Sequence, residues 1–278
     1  MRTGSKNMRR GVYLLPNALT TAALFAGFFS IISGINGRYI TAATAIFVAA
    51  CLDALDGRVA RLTNTETDFG VQYDSLSDLI SFGLAPALLA FNWSLTTLGN
   101  WGPWAGKLGW LAAFVFAACA ALRLARFNTQ AEVSDKRYFQ GLASPAAAVT
   151  LGSTIWFFAA QGISGDAVSW LIWIETVVLG LLMFSRVRYF SGKGWPRGDR
   201  IPAGWLIVIV LFIVLIAIDP PMFLMLGGLS YVVSGLVITV IGRRQWRLRR
   251  LRRIRRQQGR EEDHYNDDEP ENTEIKKD

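Results

Sequence analysis

The chain has 278 residues, 52% of them hydrophobic and 18% charged, with a net charge of +8. This composition is more apolar than that of an ordinary soluble domain and points to a membrane protein. His264 is the only histidine, which excludes Ser-His-Asp and Cys-His nucleophile systems, histidine-rich zinc sites and a phosphohistidine intermediate, so any general base must be a carboxylate, lysine or tyrosine.

In chain order, a basic segment over 1–14 precedes apolar stretches of near-spanning length at roughly 15–34, 39–55, 72–92, 108–127, 143–161, 168–185, 202–218 and 222–241. The expected fold is therefore all-α, a polytopic transmembrane helical bundle of about eight spans. The first stretch is not a secretory leader, because it lacks a small-x-small cleavage site and a second apolar stretch follows almost at once. Asn17 and Thr20, at its start, are candidates for headgroup contact or for capping that helix. Cys51 and Cys119 fall inside different predicted spans and read as small packing residues rather than a disulfide. Glu175, in the sixth stretch, is expected to hydrogen-bond between helices in protonated form or to face lipid, without a catalytic role. Trp93, Trp101, Trp104 and Trp195 fall near predicted interfaces, as aromatic belts do.

Basic residues test this division independently. With the N-terminus inside, every Lys and Arg except Arg38 and Lys107 falls in a segment assigned to the cytoplasm. A miscounted span would reverse every later segment, so an even number of spans with both termini cytoplasmic is expected. After Gly242 the sequence RRQWRLRRLRRIRRQQGR gives way to an acidic, polar end. The basic run directly follows a span and is read as a membrane anchor rather than a nucleic-acid site, and the acidic end as disordered. No GxxxxGK[ST] loop, no GxGxxG after a strand and no internal or inverted repeat is present.

The most informative feature is the pattern Asp53-x-x-Asp56-Gly57-x-x-Ala60-Arg61, followed eight residues later by Gly70-x-x-x-Asp74-x-x-x-Asp78. On a helix, Asp53 and Asp56 share one face, as do Asp74 and Asp78. Both pairs border apolar runs, VAACL before Asp53 and LISFGLAPALLAF after Asp78, so they belong to membrane-entering helices rather than to a free loop. Ionisable groups at such depth are costly and usually functional. Four gathered carboxylates need cations, and divalent metals with oxygen ligands supply them. The small residues Gly57 and Ala60 would let a ligand approach the backbone, and Arg61 offers positive charge to a phosphate.

The stretch DALDGRVARLTNTETDFGVQYDSLSD closely resembles the signature of the CDP-alcohol phosphatidyltransferase family. The resemblance implies an integral-membrane enzyme, usually a homodimer, with a six-helix core around a polar cavity open to the cytoplasm, over 15–200 here, with two further helices at 201–242 and a tail at 243–278. It assigns Asp53, Asp56, Asp74 and Asp78 to a site for two magnesium or manganese ions, Asp78 also as the base, and Gly57, Ala60, Arg61 and Gly70 to the CDP-lipid pocket. An acceptor hydroxyl would attack the lipid-side phosphate and release CMP.

Flanking segments, LLPNALTTAALFAGFFSI, SLSDLISFGLAPA, LRLARFN, FQGLASPAAA and LMFSRVRYFSGK, resemble the bacterial membrane-type phosphatidylserine synthases, with Ala23 in place of an expected Asn and Ala143 in place of a common Pro. CDP-diacylglycerol and L-serine are the expected substrates and the bacterial inner membrane the expected setting. Other acceptors, such as glycerol 3-phosphate, choline or an inositol, are the nearest alternative; a divalent-cation or secondary transporter is a remoter one. A serine acceptor needs a cation for its carboxylate. Arg123, Arg126, Arg186, Arg188 and Lys193 are candidates, with Arg126, Arg186 and Lys193 preferred and Asn128, Ser144 and Ser185 as polar contacts.

Overall fold

A computed structural model describes residues 4–63, 67–130, 138–190, 210–211 and 214–239. Its helices are α1 (Gly4–Ile35), α2 (Tyr39–Thr63), α3 (Asp68–Asp78), α4 (Ala85–Trp93), α5 (Pro103–Gln130), α6 (Ser144–Ala160) and α7 (Ser169–Phe184), followed by α8 (Pro220–Thr239). A π-helical stretch, Leu79–Leu84, runs straight on from α3 into α4, and a 3-10 turn, Leu95–Trp101, leads to α5. By its contacts the chain forms two units, Met1–Gly235 and Leu236–Asp278. Of the second, the described residues 236–239 are helical.

Among the described residues, five segments are long and apolar enough to cross a membrane: Leu15–Ile35, Tyr39–Thr63, Asp68–Trp101, Pro103–Thr129 and Pro220–Thr239, with α6 and α7 as shorter apolar helices. The predicted stretch at 202–218 lies largely outside the described residues, as do Lys193, Trp195 and the tail. Phe25, Phe28, Phe114, Ile174 and Leu181 are exposed. Exposed apolar side chains of this size on long apolar helices suit contact with lipid. The protein is an integral membrane protein.

The bundle is closed by small residues, which let helix backbones approach where lipid offers no hydrophobic drive to pack. Helix α2 buries Ala42, Ala43, Ala45, Ile46 and Ala49, and α6 buries Ala147, Ala148, Gly152 and Ser153. Helices α2 and α3 are each seated on α1, and α5 packs on α7. Ser77 and Ser81, one turn apart, donate to the carbonyls of Thr20 at 3.2 Å and Ala23 at 3.1 Å. These bonds seal α1 against α3 and the π-helical stretch.

Two local features were not legible in the sequence. The π-helical stretch begins directly after Asp78. Such a stretch accommodates one extra residue per turn and re-aims the helix beyond it, so the aspartate face of α3 and the buried face of Ser81, Phe82 and Gly83 are set separately. The other is a ribbon in an otherwise helical fold. Strands β1 (Tyr138–Gln140) and β2 (Arg188–Phe190) pair antiparallel, and Gly141 follows with φ 85°, its N–H donating to the Val187 carbonyl at 2.8 Å. A side chain there would be strained and would strike the Met183 carbonyl. The ribbon thus ties the start of α6 to the end of α7.

Helix α1 also departs from expectation at its start. It begins at Gly4 and runs through Pro16, so Asn17 and Thr20 are interior residues and not caps. Glu175 accepts a hydrogen bond from Thr154 at 2.9 Å, which is the interhelical role expected of it and not a lipid-facing one. Cys51 and Cys119 are unbridged.

The contact between α1 and the π-helical stretch is close enough to test. A Cβ at Gly27 would come within 2.7 Å of Ser81 Cα, a backbone atom that has nowhere to go. Gly27→Leu is expected to cost about 1–3 kcal/mol through overpacking, read as a lowered midpoint of thermal unfolding in detergent, whereas Gly99→Ala should leave this contact intact because nothing lies within 4 Å of a Cβ at that position.

Candidate active site

The four aspartates lie on two helices that share α1 as a wall. Asp53 and Asp56 lie in the last three turns of α2, which runs to Thr63, and Asp74 and Asp78 lie on α3, which begins at Asp68. Thr67 starts α3 as its N-cap, its hydroxyl accepting the Gly70 N–H at 3.0 Å. One carboxylate oxygen from each of Asp53, Asp56 and Asp74 lies within 4.8 Å of the others. Asp78 is outside this triad and joins it through a hydrogen bond with Asp53.

Asp56 is the most enclosed of the four, at 5% exposure. Thr20 of α1 donates to its Oδ2 at 2.8 Å. That bond fixes the carboxylate's orientation and leaves the other oxygen for a ligand. The donor set is all carboxylate, with no His or Cys in the group, and hard oxygen donors of this kind fit magnesium, manganese or calcium rather than zinc or copper. The residues present therefore fit a divalent-metal site.

The aspartates open onto a cavity of about 520 Å3. Every residue assigned to the CDP-lipid pocket from the sequence, Gly57, Ala60, Arg61 and Gly70, lines it. A Cβ at Gly57 would meet only the Arg61 Nη2 atom, at 3.7 Å, so the protein's own packing does not demand glycine there. What the missing side chain preserves is cavity space beside the backbone. Arg61 Nε donates to the Gly57 carbonyl at 2.7 Å, which folds its guanidinium back along the helix on the cavity side.

Helix α5 supplies the opposite wall. Arg123 lines the cavity and interacts electrostatically with Asp78 and Asp53, and its Nη1 donates to the buried Ser144 hydroxyl at 2.6 Å. One and a half turns on, Asn128 bonds Ser75 of α3, its Nδ2 donating at 3.0 Å. Of the preferred acceptor residues, Arg126 and Arg186 are not on the cavity wall, and Lys193 lies outside the described residues. Arg126 is not among the cavity-lining residues; its Nη1 donates to the Phe184 carbonyl at 2.9 Å and its guanidinium stacks 5.2 Å from the Phe184 ring. Arg186 is exposed beside it, close enough for the two charges to repel. Ser185 closes the end of α7, donating to Leu182 and accepting from Val187.

The sequence did carry a signal for Arg123 over Arg126. It lies one turn deeper in the apolar run of α5, where an unpaired charge costs more and so is more often functional. Thr20 is not a cap but lines the cavity, and the packing of α1 on α2 brings its hydroxyl to Asp56.

That Thr20 bond is testable by metal binding alone. Thr20→Val keeps the shape and removes the donor, and partners that orient metal ligands typically contribute 10–100-fold in affinity. Isothermal titration of purified protein with Mn2+ is expected to show binding weakened by at least about tenfold, with no loss of helical content by circular dichroism.

Comparison with known proteins agrees with this geometry. Residues 13–182 match the CDP-alcohol phosphatidyltransferase family. A CDP-diacylglycerol–serine O-phosphatidyltransferase of Helicobacter pylori is 32% identical over 226 residues, covering 81% of this chain and 91% of that one. Proteins of the same name from Methanocaldococcus jannaschii, 30% identical with coverage of 81% and 96%, and from Saccharomyces cerevisiae, 32% identical with coverage of 61% and 63%, are also similar. With the match running over the aspartate helices, α5 and most of α7, the chain belongs to the CDP-alcohol phosphatidyltransferase family and is an enzyme of phosphatidyl transfer.

Proposed function

We propose that the enzyme transfers the phosphatidyl group of CDP-diacylglycerol to L-serine, forming phosphatidylserine and CMP. The observation that carries this reading is the cavity, in which four carboxylates on two helices face the Arg123 guanidinium of a third helix. The names of relatives at 30–32% identity support serine as the acceptor.

In this reading Asp53, Asp56, Asp74 and Asp78 hold divalent ions, magnesium or manganese and two in number. Such ions, when bound, neutralise pyrophosphate charge and stabilise the departing CMP. Gly57, Ala60, Arg61 and Gly70 bind the CDP group, with Arg61 facing phosphate. The serine hydroxyl oxygen forms a bond to the lipid-side phosphorus, the bond from that phosphorus to the bridging oxygen breaks, and CMP leaves with that oxygen. Asp78, in its ionised form, receives the hydroxyl proton. Arg123, held by Ser144, binds the serine carboxylate. No covalent enzyme intermediate is needed.

The alternation of basic residues along the chain supports a cavity that opens to the cytoplasm. A bacterial cytoplasmic membrane and a homodimer belong to the same proposal. The amphipathic donor suits such a site, because acyl chains stay in the bilayer while the nucleotide remains in water.

Purified enzyme in detergent-lipid micelles with CDP-diacylglycerol and Mg2+ or Mn2+ is expected to release CMP with serine and to form a serine-labelled lipid. Glycerol 3-phosphate, choline and inositol should not replace serine, and chelator should abolish turnover until metal is restored. CMP release with another alcohol in place of serine would overturn the choice of acceptor. Asp78→Asn is expected to lower turnover by about 10²–10⁴-fold, the usual contribution of a positioned base, while keeping metal-dependent binding of CDP-diacylglycerol. Asp56→Ala should lose both, and full activity in either variant would refute the role given to that residue.

A further inference from the structure

Asn128 lines the cavity together with Arg123, Leu124 and Phe127. At i, i+1, i+4 and i+5 these four form one stripe along α5. Arg123 and Asn128 mark its ends, a rise of about 7.5 Å apart, and the proposed reaction uses only the Arg123 end.

Asn128 meets α3 at Ser75, between Asp74 and Asp78 in the chain. Its Nδ2 donates to the Ser75 hydroxyl at 3.0 Å, and its Oδ1 lies 3.3 Å from the same oxygen. Ser75 has one hydrogen to give and two acceptors near it, Asn128 Oδ1 and the Val71 carbonyl, the latter at 3.0 Å. The carbonyl is the nearer, and a serine inside a helix commonly bonds back to the residue four before it. The hydroxyl hydrogen therefore goes to Val71, and Ser75 serves Asn128 as an acceptor. That orients the amide with its NH2 on Ser75. Oδ1, which no other described residue approaches as a donor, is left as a spare acceptor.

A spare neutral acceptor on the cavity wall suits an N–H of the substrate. In the proposed reaction the carboxylates are committed to metal ions, and Arg61 and Arg123 can only donate. L-Serine carries a hydroxyl arm, a carboxylate and an ammonium around one carbon. Asp78 takes the hydroxyl and Arg123 the carboxylate, which leaves the ammonium, a charge that is costly to bury without a partner. The other amide on the wall, Asn17, belongs to the nucleotide side, since a Cβ at Gly70 would come within 3.6 Å of its Oδ1.

We propose that Asn128 determines specificity for an amino-bearing acceptor, its Oδ1 accepting a hydrogen bond from the serine ammonium while Ser75 holds the amide in place. The proposal rests on the assignment of Arg123 and Asp78 to serine made above.

The test uses 3-hydroxypropanoate, which is serine without its ammonium, as a competitor of serine in the CMP-release assay on full-chain enzyme in detergent-lipid micelles. Its inhibition constant reports its binding whether or not it is turned over. In Asn128→Leu the KM for serine is expected to rise at least about tenfold, as loss of a hydrogen bond to a charged group implies. The inhibition constant of 3-hydroxypropanoate and the KM for CDP-diacylglycerol should stay within about threefold of wild type. Ser75→Ala, which keeps Oδ1 but removes the hydroxyl that orients it, should raise the serine KM in the same direction, and it decides the matter if Asn128→Leu does not fold. A smaller rise in folded Asn128→Leu, or none in Ser75→Ala, would overturn the proposal. So would equal rises for serine and its analogue, the mark of a packing defect, or a rise confined to CDP-diacylglycerol. If 3-hydroxypropanoate does not compete in the wild type, the KM for CDP-diacylglycerol is the reference and the same criteria hold. Wild-type turnover of serine with an unmoved KM in the variants defeats this proposal alone. Turnover only with glycerol 3-phosphate, inositol or choline, none of which has an N–H, defeats the serine reading and this proposal together.

Discussion

Thr20 joins the two halves of the aspartate cluster. Its hydroxyl donates to Asp56 on α2 at 2.8 Å, and its backbone carbonyl accepts from Ser77, the neighbour of Asp78 on α3, at 3.2 Å. One residue of α1 thereby sets the spacing of two carboxylate pairs that repel each other. Like charges a few ångströms apart in a poorly polarisable interior repel by several kcal/mol, against which the cluster itself offers the hydrogen bond between Asp53 and Asp78. The restraint comes from the packing of α2 and α3 on α1 and from the cation the cluster is built to receive.

This arrangement explains why the surrounding bundle is made of small residues. Alanine and glycine faces on α2 and α6, and glycine at position 27, allow backbones to close until serine and threonine hydroxyls reach carbonyls across helices. In lipid such bonds satisfy groups that have no water to turn to. The π-helical stretch after Asp78 then lets the same continuous segment present an acidic face at one end and an apolar, buried face farther on.

Across the cavity, α5 works as the second reference. Asn128 links it to α3, Arg123 links it to α6 through Ser144, and Arg126 links it to the end of α7. The ribbon of β1 and β2 secures the junction from which Ser144 and Pro145 arise. Positive charge thus approaches the aspartates from an element distant in sequence, along a wall that α7 packs against.

Much of this was legible in the residues. Apolar run lengths gave the apolar helices at α1, α2, the segment from α3 to α4, α5, α6, α7 and α8, because apolar helices of such length are what a bilayer requires, and the spacing of Asp53, Asp56, Asp74 and Asp78 gave each pair a shared helix face, because helical periodicity is local. Gly57, Ala60, Arg61 and Gly70 belong to the same local pattern, and all four line the cavity beside the aspartates. What only the tertiary structure decided is which distant residues meet that pattern: Arg123 rather than Arg126 on the cavity wall, Thr20 as the partner of Asp56, and the ribbon at Gly141. Those pairings depend on how helices rotate and stack against one another, a property of the whole packed bundle that no short stretch of sequence encodes.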